Sequence, residues 1–241
     1  MPIVSADVSV NAADPPTPTA LPRALLRRFL ALGDPTIRRK AVRDTIAGLD
    51  AASIKHLLTH LIDRRTDPDV RPVWLDAALA LLDDALLPAD VRADLCARVA
   101  DVPVLRVAGG IPSPAAGPAP TPTYDLEDVP LGWRKARARR RDRDTLNRLA
   151  DAPDQEVLRI LLDNPVVTES NAIRVATRRF QSPEGFRVVL SSRFGTREQV
   201  MAAVVENPAC PVRLALAVLP MLARPRRAEV ATSPRLDGLV R

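Results

Sequence analysis

Two histidines four residues apart, His56 and His60, stand in the stretch "AASIKHLLTHLID", with Asp63 three residues further on. On a helix, positions three and four apart are neighbours, so two imidazoles and a carboxylate could converge on one metal ion. A hydrolytic zinc helix also needs a glutamate directly after the first histidine, as general base. Leu57 occupies that place, and the chain has only two His. The pair therefore reads as surface or partly buried histidines, and no metal is expected. The two cysteines, Cys96 and Cys210, are far apart and have no chelating spacing. They read as buried structural thiols of a reducing compartment. Gly109-Gly110 makes no phosphate loop, since neither G-x-x-x-x-G-K-S/T nor G-x-G-x-x-G occurs. Adjacent carboxylates such as Asp83-Asp84 point apart on a helix. With no nucleophile, base and orienting group in recognisable spacing, no catalytic or cofactor-binding residue is assigned, and a protein that is not an enzyme is expected.

Charge is the other chemistry on offer. The net charge is +6, and residues 21–101 nearly balance, with 13 basic and 12 acidic groups. The stretch "RKARARRRDRDTLNR", residues 134–148, holds eight basic groups and two acids, so the whole excess sits in fifteen residues. Trp133 precedes it directly. Trp133, Arg134, Lys135, Arg137, Arg139, Arg140 and Arg141 are therefore candidate contacts for phosphate, on nucleic acid or another anionic surface. The competing reading is a solvated first helix at a domain edge. Asp142 and Asp144 interrupt the run, and it carries no second aromatic for base stacking. The preference for Arg over Lys, with only Lys40, Lys55 and Lys135, is chain-wide and matches the codon habit of a GC-rich genome.

The elements that must carry these residues are helical. Hydrophobic residues make up 46% and aromatics 3%, which points to a Leu, Val and Ala core and away from a β-sandwich. Residues 1–20 are polar and Pro-rich and are expected to be disordered. They lack the basic and apolar regions of a signal peptide. No run is long enough to span a membrane, and a cytoplasmic location is expected. Residues 21–103 read as successive helices. "DPTIRRKAVRDTIAGL" starts with an acid and a Pro and places Ile37, Ala41, Ile46 and Leu49 on one side. In the histidine stretch, Ile54, Leu57, Leu58 and Leu61 form the apolar row. Residues 104–128 form a linker whose centre, 107–123, holds five Pro and three Gly. Residues 129–241 are read as a second helical domain.

That second domain repeats a phrase. "LLDNP" ends at Pro165 and "VVENP" ends at Pro208, 43 residues later. An apolar helix ends before Pro because the preceding residue is driven out of the α region. Thr168 is then an expected N-cap and Pro211 an expected first helical residue. Each copy becomes helix, tight corner, helix. Further corners are expected at Ser182-Pro183 and Ser233-Pro234. Two short helices cannot bury their own apolar faces, so such units need stacked neighbours.

On these residues, "QEVLRILLDNPVVTESNAIRVA" and "EQVMAAVVENPACPVRLALAVLP" resemble leucine-rich repeat variant units, and the chain from about residue 131 resembles bacterial proteins built from them. Asp-Pro-x-Ile/Val-Arg at Asp34–Arg38 and Asp67–Arg71 resembles helix starts of HEAT-type repeats. The resemblance covers under half the chain. It implies an all-α helical-repeat solenoid, HEAT-like at the N-terminus and leucine-rich-repeat-variant-like at the C-terminus. The unit at 182–190 lacks Asn-Pro, and the spacing is irregular. One type in that family ligates an iron–sulfur cluster through a cysteine cluster, which is missing here, so no cofactor is carried over. The implied function is a scaffold or protein-interaction module, with a protein partner and with Arg174, Arg178, Arg179 and Arg213 as candidate face residues. The alternative is a nucleic-acid binder using residues 134–148.

Overall fold

The structure is a computed structural model and describes residues 20–65, 67–83, 126, 128–178 and 183–233. Expectations for residues 1–19, for "PADVRADLCARVA" with Cys96, for most of the linker and for Arg179 lie outside the described residues. Among the described residues the chain is all-helical, without strand. The N-terminal helices are α1 (Ala20–Leu30), α2 (Pro35–Gly48), α3 (Ala51–Asp63) and α4 (Arg71–Leu81). The C-terminal helices are α5 (Leu131–Ala138), α6 (Arg143–Leu149), α7 (Gln155–Asp163), α8 (Glu169–Ala176), α9 (Pro183–Ser191), α10 (Glu198–Val205), α11 (Val212–Val218) and α12 (Arg224–Thr232), with a 3-10 turn at Leu219–Met221.

Local chemistry sets the helix ends. Asp34 caps α2, its carboxylate accepting from Thr36 N at 2.7 Å and Ile37 N at 3.0 Å. Asp50 caps α3 through Ser53 N. These backbone bonds hold both carboxyls below the usual carboxylate range. Thr168 and Asn171 form a reciprocal capping box at the start of α8. Pro183 opens α9, and Pro211 stands just ahead of α11. In α3 the expected row of Ile54, Leu57, Leu58 and Leu61 is buried. Each such residue stabilises the fold by about 1.5–3 kcal/mol relative to exposure. In α2 the expected row holds at the buried Ile46 and at Ala41 and Leu49, which pack partly buried on the core; Ile37 is corrected, being 58% exposed, and Val42 is buried in addition. The stripe runs i, i+4 from Val42 and leaves the first turn outside.

Packing follows a skip pattern in the C-terminal half. α7 lies between α5 and α9, and α8 packs on α10. α4 joins the halves, touching α2 and α3 on one side and α9 and α11 on the other. Its Trp74 is fully buried, and its indole N–H donates to the Ala217 carbonyl of α11 at 3.1 Å. Leu126 and Val129, just ahead of α5, also pack into the same apolar core.

Candidate interaction surface

The repeated Asn-Pro phrase builds the same clamp twice. Pro165 leaves Asn164 extended, with φ −68° and ψ 126°, at the end of α7. The Asn164 side chain is buried, and its Nδ2 donates to the carbonyls of Ala138 and Arg140 at the end of α5, both at 2.8 Å. Its Oδ1 accepts from Val166 N at 3.0 Å. Asn207, after α10, donates to the carbonyls of Ala176 and Arg178 at the end of α8, at 2.9 and 2.6 Å. Its Oδ1 accepts from Ala209 N at 2.9 Å. Each Asn thus satisfies last-turn carbonyls of the helix stacked beside its own, groups no intrahelical donor can reach.

Asn207 of the second clamp lines an open groove of about 1080 Å³ along α8, α10 and α12. Along α8 and the residue that ends it the lining includes Glu169, Ile173 and Thr177, and along α10 and the residue that ends it Glu198, Ala202 and Glu206. Both sets step by four residues, so each is one helix face. Ala202 and Ala203 make a low floor, and Gln199 stands exposed at the rim. Arg226 of α12 reaches across to Glu206 at 2.8 Å.

A second cleft, about 550 Å³, lies between α2 and α4 on one side and α7 and α9 on the other. Three of its cations, Arg39, Arg43 and Arg187, are already matched. Arg39 donates from Nε to Asp76 at 3.3 Å and also to the Ser191 carbonyl. Arg43 pairs with Asp83 at 3.0 Å. Arg187 donates to the carbonyls of Leu79 and Leu82 at 3.3 and 2.6 Å. Asp76 is 4% exposed and also takes Arg38 Nε at 2.8 Å. Burial pushes its carboxyl above the ordinary range, against the pull of both guanidiniums. These bonds make the cleft a joint between the two halves. The sequence reading passed over Asp76; the available signal was an acid inside the apolar run of α4, where both neighbours, Leu75 and Ala77, are apolar.

The residues singled out from the sequence divide sharply. Arg134 is corrected: it is buried and bonds Asp154, at the start of α7, so it faces inward. Lys135 pairs with Glu156 of α7. Arg137 lies over the half-exposed Trp133, its Cζ 4.7 Å from the ring centroid. Arg139 donates to the Lys135 carbonyl at 3.1 Å and is exposed, as are Arg140 and Arg141. Of the expected face, Arg178 and Arg213 are corrected as well. Arg213 is 7% exposed, held within the packed face of α11. Arg178 turns inward and donates to the carbonyls of Ala150 and Ala152 at 2.9 and 2.8 Å. Arg174 remains exposed and pairs with Asp151. A long guanidinium caps a neighbouring helix end as readily as it faces solvent, and sequence does not distinguish the two.

The remaining chemistry is quiet. His56 is exposed, and burial, then Arg64 and Arg23, lowers the pKa of His60. Among the described residues no group of three or more His, Cys, Asp or Glu is placed to hold a metal ion. Burial pushes the Cys210 thiol up, away from thiolate chemistry at neutral pH. No described helix is long and apolar enough to cross a membrane. The chain matches no family model, no curated protein and no solved structure at a significant level.

Proposed function

We propose that the protein is a non-catalytic scaffold, a protein-interaction module made of short α-helical repeats of the leucine-rich-repeat-variant and HEAT-like kind. The observation that carries this reading is the groove along α8, α10 and α12, whose two main walls are equivalent faces of helices held in register by the Asn207 clamp. A groove with a low alanine floor and a polar rim accepts a segment of another polypeptide, and stacked helices present such a surface without rearrangement. A photo-crosslinking residue placed at Gln199 should capture a discrete polypeptide in cells, and the adduct should survive nuclease treatment. The same residue at the exposed Asp44 of α2 should not. Equal capture from both positions, or none from Gln199, would overturn the reading.

A further inference from the structure

Several arginines of the C-terminal helices have an internal task. Arg134, Arg174 and Arg226 hold carboxylates. Arg178, Arg193 and Arg227 hold backbone carbonyls, and Arg187 holds both kinds of acceptor. The corner between α5 and α6 differs in density: six arginines fall within residues 137–148, and of these Arg139 donates to the Lys135 carbonyl one turn back. Arg137, Arg139, Arg140, Arg141, Arg143 and Arg148 pair with no carboxylate among the described residues. Only Asp142 and Asp144 lie among them in sequence, and the Asp142 carboxylate is taken up by the Thr145 hydroxyl.

So dense a set of like charges costs self-repulsion, against which stand Asp142, attracted by Arg137, and Asp144. The backbone beneath it is nevertheless fixed. Asn164 Nδ2 grips the carbonyls of Ala138 and Arg140, on either side of Arg139, so the guanidiniums project from a rigid corner. Preorganised forks of this kind suit phosphate oxygens, which accept two parallel N–H bonds from one guanidinium. Trp133 lies one turn before Arg137 and is 38% exposed, with the Arg137 guanidinium against its ring. An exposed indole beside a phosphate-binding cluster is the pairing that single strands use, since an unstacked base can lie on the ring while the backbone meets the cations. A duplex offers no such base.

We infer that the α5–α6 corner is a docking surface for single-stranded nucleic acid, with Arg137, Arg139, Arg140, Arg141, Arg143 and Arg148 on the phosphates and Trp133 as the stacking surface. This surface shares no residue with the groove along α8, α10 and α12, so either can fail alone. The test uses the full chain and a fluorescent mixed-sequence single-stranded oligonucleotide. If all six guanidiniums engage, log affinity should fall against log salt with a slope of about −4. Triple reversal of Arg139, Arg140 and Arg141 to Glu should abolish binding. Reversal of three exposed arginines elsewhere, Arg27, Arg28 and Arg224, should leave most of it. Trp133→Ala should weaken binding by about 5-fold or more. Circular dichroism of each variant establishes that the helices persist. Equal losses from the two triple reversals would reduce the effect to net charge and overturn the site. Tighter binding to a duplex, or binding confined to anionic vesicles, would overturn the single-strand assignment.

Discussion

Asn164 and Asn207 show how much one side chain can do at a helix end. Each closes its own turn through Oδ1 and satisfies two carbonyls of a neighbouring helix through Nδ2. Replacing Asn207 by Ala removes three hydrogen bonds at a buried site and should cost about 1–3 kcal/mol. Asp is the sharper probe. It keeps the acceptor for Ala209 N but cannot donate, and it sets a buried charge against two carbonyls. Asn207→Asp should therefore be less stable than Asn207→Ala in urea denaturation, and an Asp variant as stable as the unsubstituted protein would sink the clamp. The repetition of Asn-Pro was legible in the sequence. Its task was not, because the carbonyl partners lie 24–31 residues earlier in the chain. The arginines were opaque for the same reason: Arg134 and Arg140 look alike in a basic run, and only the approach of Asp154 turns Arg134 inward.

At the scale of elements, local signals read well. Asp34, Asp50 and Thr168 cap helices because the side-chain acceptor and the exposed N–H groups are two or three residues apart. The failures fall where the neighbour decides, as with Ile37, left outside by the register of α2 against α4. The corner from α9 to α10 depends on another close approach. A Cβ built on Gly195 would come within 1.9 Å of the Leu190 carbonyl oxygen. The obstacle is backbone of the preceding helix, so the chain must move. Gly195→Ala should cost at least the 1–3 kcal/mol typical of overpacking, with a lower thermal midpoint and unchanged helix content at low temperature. A neutral substitution would mean that the corner has slack. The groove needs this corner as well as the clamp, since α10 forms one of its walls. Its i, i+4 rows could be read from the sequence, but the stacking that sets α8 against α10 is non-local.

At the scale of the molecule, α4 makes one body of the two halves that the Pro-rich stretch separates in sequence. Its buried Asp76 predicts a pH dependence with a definite sign. Burial raises this carboxyl above its ordinary 3.8, so the folded protein holds the proton to higher pH than the unfolded chain does. The contribution of Asp76 to stability is therefore fully present below that ordinary value and is lost as pH rises through the raised one. The stability of the unsubstituted protein relative to Asp76→Asn should fall across that window, as measured by urea denaturation at successive pH values. A difference that grows with pH would mean that the Arg38 and Arg39 pairs outweigh burial.

The same helix predicts cooperativity. Trp74 belongs to the N-terminal half, yet its side chain is buried against the C-terminal half and its N–H is held by Ala217. With Trp133 replaced by Phe, tryptophan emission reports α4 alone, while far-UV circular dichroism reports every helix. If the shared core couples the halves, the two signals should change together in one transition on urea unfolding. Arg187→Ala removes the guanidinium that bridges α9 to the carbonyls of Leu79 and Leu82. It should move that single midpoint down, by about 0.5–1.5 kcal/mol for each bond lost. Emission that shifts at lower urea than helicity would show that the N-terminal helices come away first, and that α4 is a contact between two separately stable units.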